Sequence, residues 1–166
     1  MLKLTVMRHA KSSWDDPLLD DHDRPLNRRG VASAEAMGHW LRKRGHVPDT
    51  VLSSTSKRTL QTFECLALDC PVSFTRHLFH ASKSEILNQL RKTADTNILF
   101  LGHNPGIAKF SAQIARIPPR HPDFDRFPTC ATMVAEFDQS NWASTNWKAG
   151  HVTDFAIARD ILKSKA

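Results

Sequence analysis

The chain has 166 residues, 40% of them hydrophobic and 24% charged, with a formal net charge of +6. That length fits one domain spanning residues 1–166, and a domain of this size buries roughly 70% of the surface its unfolded chain exposes, with no need of a disulfide or a structural metal. No apolar run approaches the roughly 20 residues of a membrane helix, the amino terminus enters a strand with no secretory leader ahead of it, and Cys65, Cys70 and Cys130 form no CxxC pair, so a cytoplasmic protein with reduced thiols is expected.

Leu2 to Met7 reads as a short strand that delivers Arg8 and His9 at its carboxyl end, where open α/β sheets place their ligand sites. After a polar stretch from Lys11 to Leu26, Asn27 is suited to cap a helix with Val31, Ala34, Met37 and Leu41 on its inner face, ending near Arg44 and Gly45. Thr50 to Ser53 is a second strand, followed from about Ser56 by a helix expected to turn Leu60, Phe63 and Ala67 inward. Pro71 to Thr75 gives a third strand, Ser84 to Thr93 a helix on Ile86, Leu87 and Leu90, and Asn97 to Leu101 a buried strand. Pro105 opens a helix that buries Ile107, Phe110 and Ile114, because proline is favoured at a first helical position. Ile117 to Thr129 holds Pro118, Pro119, Pro122 and Pro128 and must be irregular. Met133 to Phe137 and Trp147 to Val152 are late strands, placed at an antiparallel edge; the tail beyond them carries no signal. Alternating apolar and amphipathic runs predict a three-layer α/β sandwich, a mostly parallel sheet with helices on both faces.

In such a sheet three strand ends present cations or imidazoles to one edge: Arg8 and His9 after the first strand, Arg58 in the helical turn after the second, and His103 after Leu101 and Gly102. Two guanidiniums suit the tetrahedral oxygens of a phosphoryl group, and each charge-assisted hydrogen bond contributes roughly 1.5 to 3 kcal/mol. In Gly102-His103-Asn104-Pro105-Gly106 a helix begins at the same edge, and its positive end adds to the attraction for an anion. The net charge favours acidic partners. No block of five basic residues speaks for nucleic acid, and Arg28, Arg29 and the Arg42-Lys43-Arg44 run read as solvated helix ends. His22, His39, His46, His77, His121 and His151 show no metal-ligand spacing such as HExxH.

These stretches resemble the histidine phosphatase superfamily, and within it the small SixA-like phosphohistidine phosphatases: Leu-Thr-Val-Met-Arg-His-Ala-Lys-Ser-Ser-Trp at 4–14, Asp-Arg-Pro-Leu-Asn-Arg-Arg-Gly at 23–30, Ser-Ser-Thr-Ser-Lys-Arg-Thr-Leu-Gln-Thr at 53–62 and Gly-His-Asn-Pro-Gly at 102–106. A weaker match, Phe-Pro-Thr-Cys-Ala at 127–131 followed by Glu136-Phe137-Asp138, extends it further. The resemblance implies a phosphoglycerate mutase-like fold and a metal-independent phosphatase without cofactor. His9 would be the phosphorylated nucleophile, with Arg8, Arg58 and His103 holding the transferred group. Phosphohistidine on a protein is the implied substrate and signal transduction the setting. Neither nucleic acid nor a membrane is expected as a partner.

Arg24 either adds a phosphate contact or packs against Asp20 or Asp23; Lys11, Ser12 and Asn104 are candidates for the pocket rim. Larger members of the superfamily carry a carboxylic proton donor in a Leu-x-Glu pattern, where this chain reads Leu78-Phe79-His80. An alkoxide leaving group needs that proton, whereas the imidazole leaving phosphohistidine is weakly basic, so the departure favours a P–N substrate. His80 or Glu85 is the candidate replacement donor, each alternatively an ordinary surface side chain. Arg116, Arg120 and Arg126 are candidates for contacting an acidic partner. The rival readings are a phosphatase for small phosphoesters or phosphoramidates and a non-catalytic phosphate-binding module.

Overall fold

The computed structural model describes residues 1–164. Six strands form one sheet: β1 (Leu2–Arg8), β2 (Thr50–Ser54), β3 (Val72–Thr75), β4 (Asn97–Gly102), β5 (Thr132–Phe137) and β6 (His151–Ala156), in the order β3-β2-β4-β1-β5-β6. The first four run parallel, while β5 is antiparallel to both β1 and β6. Five helices flank it: α1 (Arg28–Lys43), α2 (Lys57–Leu66), α3 (Lys83–Arg91), α4 (Gly106–Ile114) and α5 (Ala158–Ser164). This is a three-layer α/β fold with a mixed sheet.

Alternation along the central strands assigns the side chains to two cores. Leu2, Leu4 and Val6 of β1 and Ile98 and Phe100 of β4 face one cluster, with α3 and α4 packed together over it. Met7, Leu99 and Leu101 face the other, where α1 packs on α2 and α5. Strands buried on both faces read as continuous apolar runs, which is why β1 and β4 stand out in the sequence.

Asn27 caps α1 by accepting from the Gly30 amide at 2.8 Å. Gly30 has a second duty: a Cβ there would lie 2.1 Å from the Lys11 carbonyl oxygen, so only glycine lets α1 begin against the segment that follows β1.

Four expectations need correction. Val31 is 36% exposed; Gly30, Ala34, Ala36, Met37, Gly38 and Leu41 make the inner face of α1. In α2 the buried positions are Arg58, Thr59, Thr62 and Leu66, one step away from Leu60, Phe63 and Ala67, because this helix faces the site with polar groups. The last strand begins at His151 rather than Trp147, since residues 148–150 hydrogen-bond to the end of α4 and Trp147 packs edge-on against Phe110. The tail forms α5, anchored by Ala158 and Ile161.

Candidate functional site

The parallel register places Arg8 beside Gly102 and Ser53 beside Leu101, so β1, β2 and β4 end together on one edge of the sheet. His9 follows β1 and is 6% exposed. Its Nδ1 lies 2.7 Å from the Ala10 carbonyl oxygen. A carbonyl only accepts, so Nδ1 carries the proton and the lone pair sits on Nε2. Burial drives the imidazole pKa down to about 3, with the Ala10 hydrogen bond opposing and the charges of Arg58, Arg8 and Arg24 reinforcing the shift. The ring is therefore neutral at physiological pH.

His103, after β4, stands with its ring centroid 5.2 Å from that of His9. Its Nδ1 accepts from Arg58 Nη2 at 3.2 Å, which leaves the proton on Nε2, donated to Ser54 Oγ at 2.8 Å. Burial, and then the neighbouring His9, push its pKa down to about 2.

Arg58 comes from the first turn of α2, which Ser56 caps by accepting from the Thr59 amide. Its guanidinium donates to the Asp21 carbonyl at 2.5 Å and to Asp21 Oδ2 at 3.0 Å. Arg24 reaches the same carboxylate, Nε to Oδ1 at 3.2 Å, donates to the Ser13 carbonyl, and stacks 3.4 Å from the centre of the Trp14 ring. The partner of Arg24 is thus Asp21, not Asp20 or Asp23. Burial raises the Asp21 pKa, but the hydrogen bonds and charges of Arg58 and Arg24 outweigh it and hold the carboxyl below its usual value. Burial, then repulsion from Arg58, lowers the pKa of Arg8, whose Nη1 donates to the Phe127 carbonyl at 3.3 Å.

A pocket of about 250 Å³ collects Arg8, His9, Arg24, Arg58 and His103, with Lys11, Ser12, His80 and Asn104 around them and Trp14 and Thr129 as further walls. Three guanidiniums against one carboxylate leave it positive, and the Nε atoms of Arg8 and Arg58 are buried without a hydrogen-bond partner. An uncompensated buried charge is costly, so a dianion bound here would be held strongly.

The rim candidates differ in what their side chains do. Asn104 is engaged within the protein: Nδ2 donates to the Arg126 and Phe127 carbonyls and Oδ1 accepts from the Ala108 amide. His80 faces the pocket, its Nε2 3.2 Å from Asp21 Oδ2. Glu85 does not reach it; its carboxylate lies 3.6 Å from His77 and accepts from Gln89 along the exposed side of α3. Pro105 caps α4 rather than opening it.

Sequence reasoning missed Asp21, Trp14 and Thr62. Thr62 Oγ1 accepts from the Ala10 amide at 3.0 Å and donates to the Arg58 carbonyl at 2.7 Å, tying α2 to the residue that orients His9. Among the described residues no group of three or more His, Cys, Asp or Glu is placed to hold a metal ion, and no helix is long and apolar enough to cross a membrane.

Residues 4–79 match the histidine phosphatase superfamily (branch 1). The uncharacterised protein ML1117 of Mycobacterium leprae is 36% identical over 162 residues, covering 92% of this chain and all of that protein. Among solved structures, a Nakamurella multipartitia chain assigned as the phosphohistidine phosphatase SixA superposes with a TM-score of 0.79 at 26% identity, covering 93% of this chain and 95% of its own. An Agrobacterium tumefaciens chain with the same assignment gives 0.76 at 27% identity, over 93% and 97%. The chain belongs to the histidine phosphatase superfamily, in its SixA-like branch. It is accordingly a hydrolase of the phosphatase class.

Proposed function

We propose that this phosphatase works through a phosphorylated His9 and removes the phosphoryl group from phosphohistidine on a protein. The observation that carries the reading is the tautomer of His9: with Nδ1–H bound to the Ala10 carbonyl, an unprotonated Nε2 is held among Arg8, Arg24, Arg58 and His103. A neutral, oriented imidazole is a nucleophile, and fixed cations act where charge accumulates as the phosphoryl group moves.

In the first step the Nε2 lone pair forms a bond to phosphorus while the substrate's P–N bond breaks. The departing imidazole, already protonated on its other nitrogen, leaves neutral. In the second step water attacks the phosphorus on His9, the Nε2–P bond breaks, and orthophosphate departs with the proton that the water gives up. Arg8, Arg24 and Arg58 neutralise the phosphoryl oxygens in both steps. Lys11 and Ser12 border the incoming group.

Asp21 bears on the choice of substrate. Arg58 and Arg24 keep it ionised, so it supplies no proton to an alkoxide, which favours a P–N bond over a phosphoester. The SixA name carried by the Nakamurella and Agrobacterium chains agrees with this. The free thiols fit a reducing, cytoplasmic setting, and phosphohistidine substrates fit a part in signal transduction.

The test is to incubate wild type and His9→Ala with a phosphohistidine-bearing protein, phosphoramidate and an aryl phosphate, then quench and seek acid-labile phosphate on the enzyme. Label on wild type alone, with the P–N substrates turned over faster than the aryl phosphate, is the expected result. Equal turnover by His9→Ala overturns the nucleophile, and faster aryl phosphate hydrolysis overturns the substrate class.

A further inference from the structure

Beside the phosphate pocket runs a second, larger depression of about 560 Å³, walled by the start of α1, the end of the proline-rich loop and α5. Its lining includes five cationic side chains, Lys11, Arg29, Arg126, Arg159 and Lys163, and no carboxylate. Arg126 and Arg159 share Asp123 at 2.7 and 2.8 Å, one carboxylate for two guanidiniums, which leaves the groove positive. Apolar side chains line it too, the buried Ile157 and Ala158 together with Pro128 and the exposed Ala32 and Leu162. Lys11 and Thr129 border both this groove and the catalytic pocket, so the two are adjacent.

The dimensions divide the work between them. The inner pocket, about 250 Å³, is smaller than the 300 to 1,000 Å³ or so typical of sites that enclose a whole ligand, a size for a phosphoryl group and the ring that carries it. Whatever bears the phosphorylated ring must continue outward, and the groove is the basic channel that begins at the rim. Small-molecule sites converge a few polar groups on one point. Here the cations are spread along four segments, the stretch after β1, α1, the proline-rich loop and α5, beside buried apolar side chains, the composition of a protein interface with a polar rim and an apolar centre.

We infer that the groove docks an acidic, partly apolar segment of the protein that carries the phosphohistidine, an inference that rests on the reading of the pocket given above. Acidic side chains meet the rim cations while an apolar one lies over Leu162. Of the three arginines singled out on the proline-rich loop, only Arg126 belongs to this surface; Arg120 borders a separate depression beside β6. Arg29, on the exposed side of the first turn of α1, is a docking residue in place of a solvated helix end.

The experiment uses two histidine peptides phosphorylated chemically on the ring, one flanked by glutamate and leucine and the other with glutamine in place of glutamate, together with phosphoramidate. Wild type is expected to show a lower KM for the glutamate peptide. In the double variant Arg29→Glu and Lys163→Glu that KM rises about tenfold, the size of reversing two partly exposed ion pairs. Activity on phosphoramidate and on the glutamine peptide stays within about twofold, as uniform binding outside the reacting centre requires. No preference between the peptides in wild type, or an equal loss on all three substrates in the variant, overturns the docking role. If wild type turns over none of them and takes up no label, it is the reading of the pocket that fails. A short single-stranded oligonucleotide that competes no better with the glutamate peptide than sodium chloride of equal ionic strength supports a protein partner; strong competition overturns it.

Discussion

The Asp21 carboxylate lies 3.0 Å from the Arg58 guanidinium across 37 residues of sequence, so a loop that looks merely polar in the sequence supplies the counter-charge of the anion pocket. That charge competes with any phosphate for the same guanidinium. Asp21→Asn is therefore expected to bind orthophosphate more tightly, lowering its inhibition constant at least about fivefold, since one charge about 4 Å away is worth roughly 1 kcal/mol even at the dielectric constant of bulk water. Steady-state inhibition of phosphoramidate hydrolysis reads the effect. A weaker inhibition in the variant shows that Asp21 serves chiefly to align Arg58.

Thr62 holds the amide N–H of Ala10, the residue whose carbonyl fixes the His9 tautomer. Thr62→Val keeps the shape but leaves a buried amide without an acceptor, at a cost of about 1 to 3 kcal/mol. The expected outcome is a fall in kcat of about tenfold at little change in KM, because roughly 1.4 kcal/mol of misalignment falls on the reacting ring. Thr62→Ser, which restores the hydroxyl, recovers the rate. A valine variant with normal kcat removes Thr62 from the positioning chain.

The two buried imidazoles make stability depend on pH. An unfolded chain protonates them near 6.5, whereas the fold keeps His9 neutral down to about 3 and His103 down to about 2. Folded values below the unfolded ones mean that protonation favours unfolding. The contribution is complete above pH 6.5 and is lost as the pH falls through the window toward 3, at about 1.4 kcal/mol per pH unit for each ring. Urea denaturation between pH 3 and 8 is expected to show this slope, with His9→Asn and His103→Asn each removing about one proton's share. A slope untouched by either substitution places the acid sensitivity elsewhere.

His80 and Glu85 are expected to matter little for a leaving imidazole. His80 borders the pocket beside Asp21 and Glu85 lies off it. His80→Ala should lower phosphohistidine turnover less than about tenfold, below the roughly 100-fold at which general-acid effects begin, and Glu85→Gln should leave it unchanged. Single-turnover assays decide this; a loss with His80→Ala approaching that of His9→Ala makes His80 the proton donor.

Much of this was legible in the sequence, for reasons particular to each segment. β1 and β4 are buried on both faces, so their apolar runs mark them, and Arg8 ends β1 while His9 and His103 stand one residue beyond the ends of β1 and β4. The inner face of α2 was misread because apolar Leu60 and Phe63 suggest a core stripe, while the buried positions one step earlier are taken by Arg58, Thr59 and Thr62. Periodicity assumes that inward means apolar, and it fails where a helix faces a site. Asp21 was passed over for its neighbours because only the folded loop decides which of several aspartates meets Arg24 and Arg58. The short α5 presents too few turns for a periodic signal, yet it walls the basic groove.

A helix seated through hydroxyls and a guanidinium is fastened by directional bonds more than by area. Such a fastening resists sliding and rotation, since small displacements break it, but it adds little to the cohesion that apolar contact would give. Leu66 anchors the far end of α2 in the apolar core, so on warming the polar first turns of the helix are expected to loosen ahead of the sheet. Turnover is expected to fade before the strands melt, the arginine drifting out of reach while the apolar cores on the two faces of β1 and β4 are still intact.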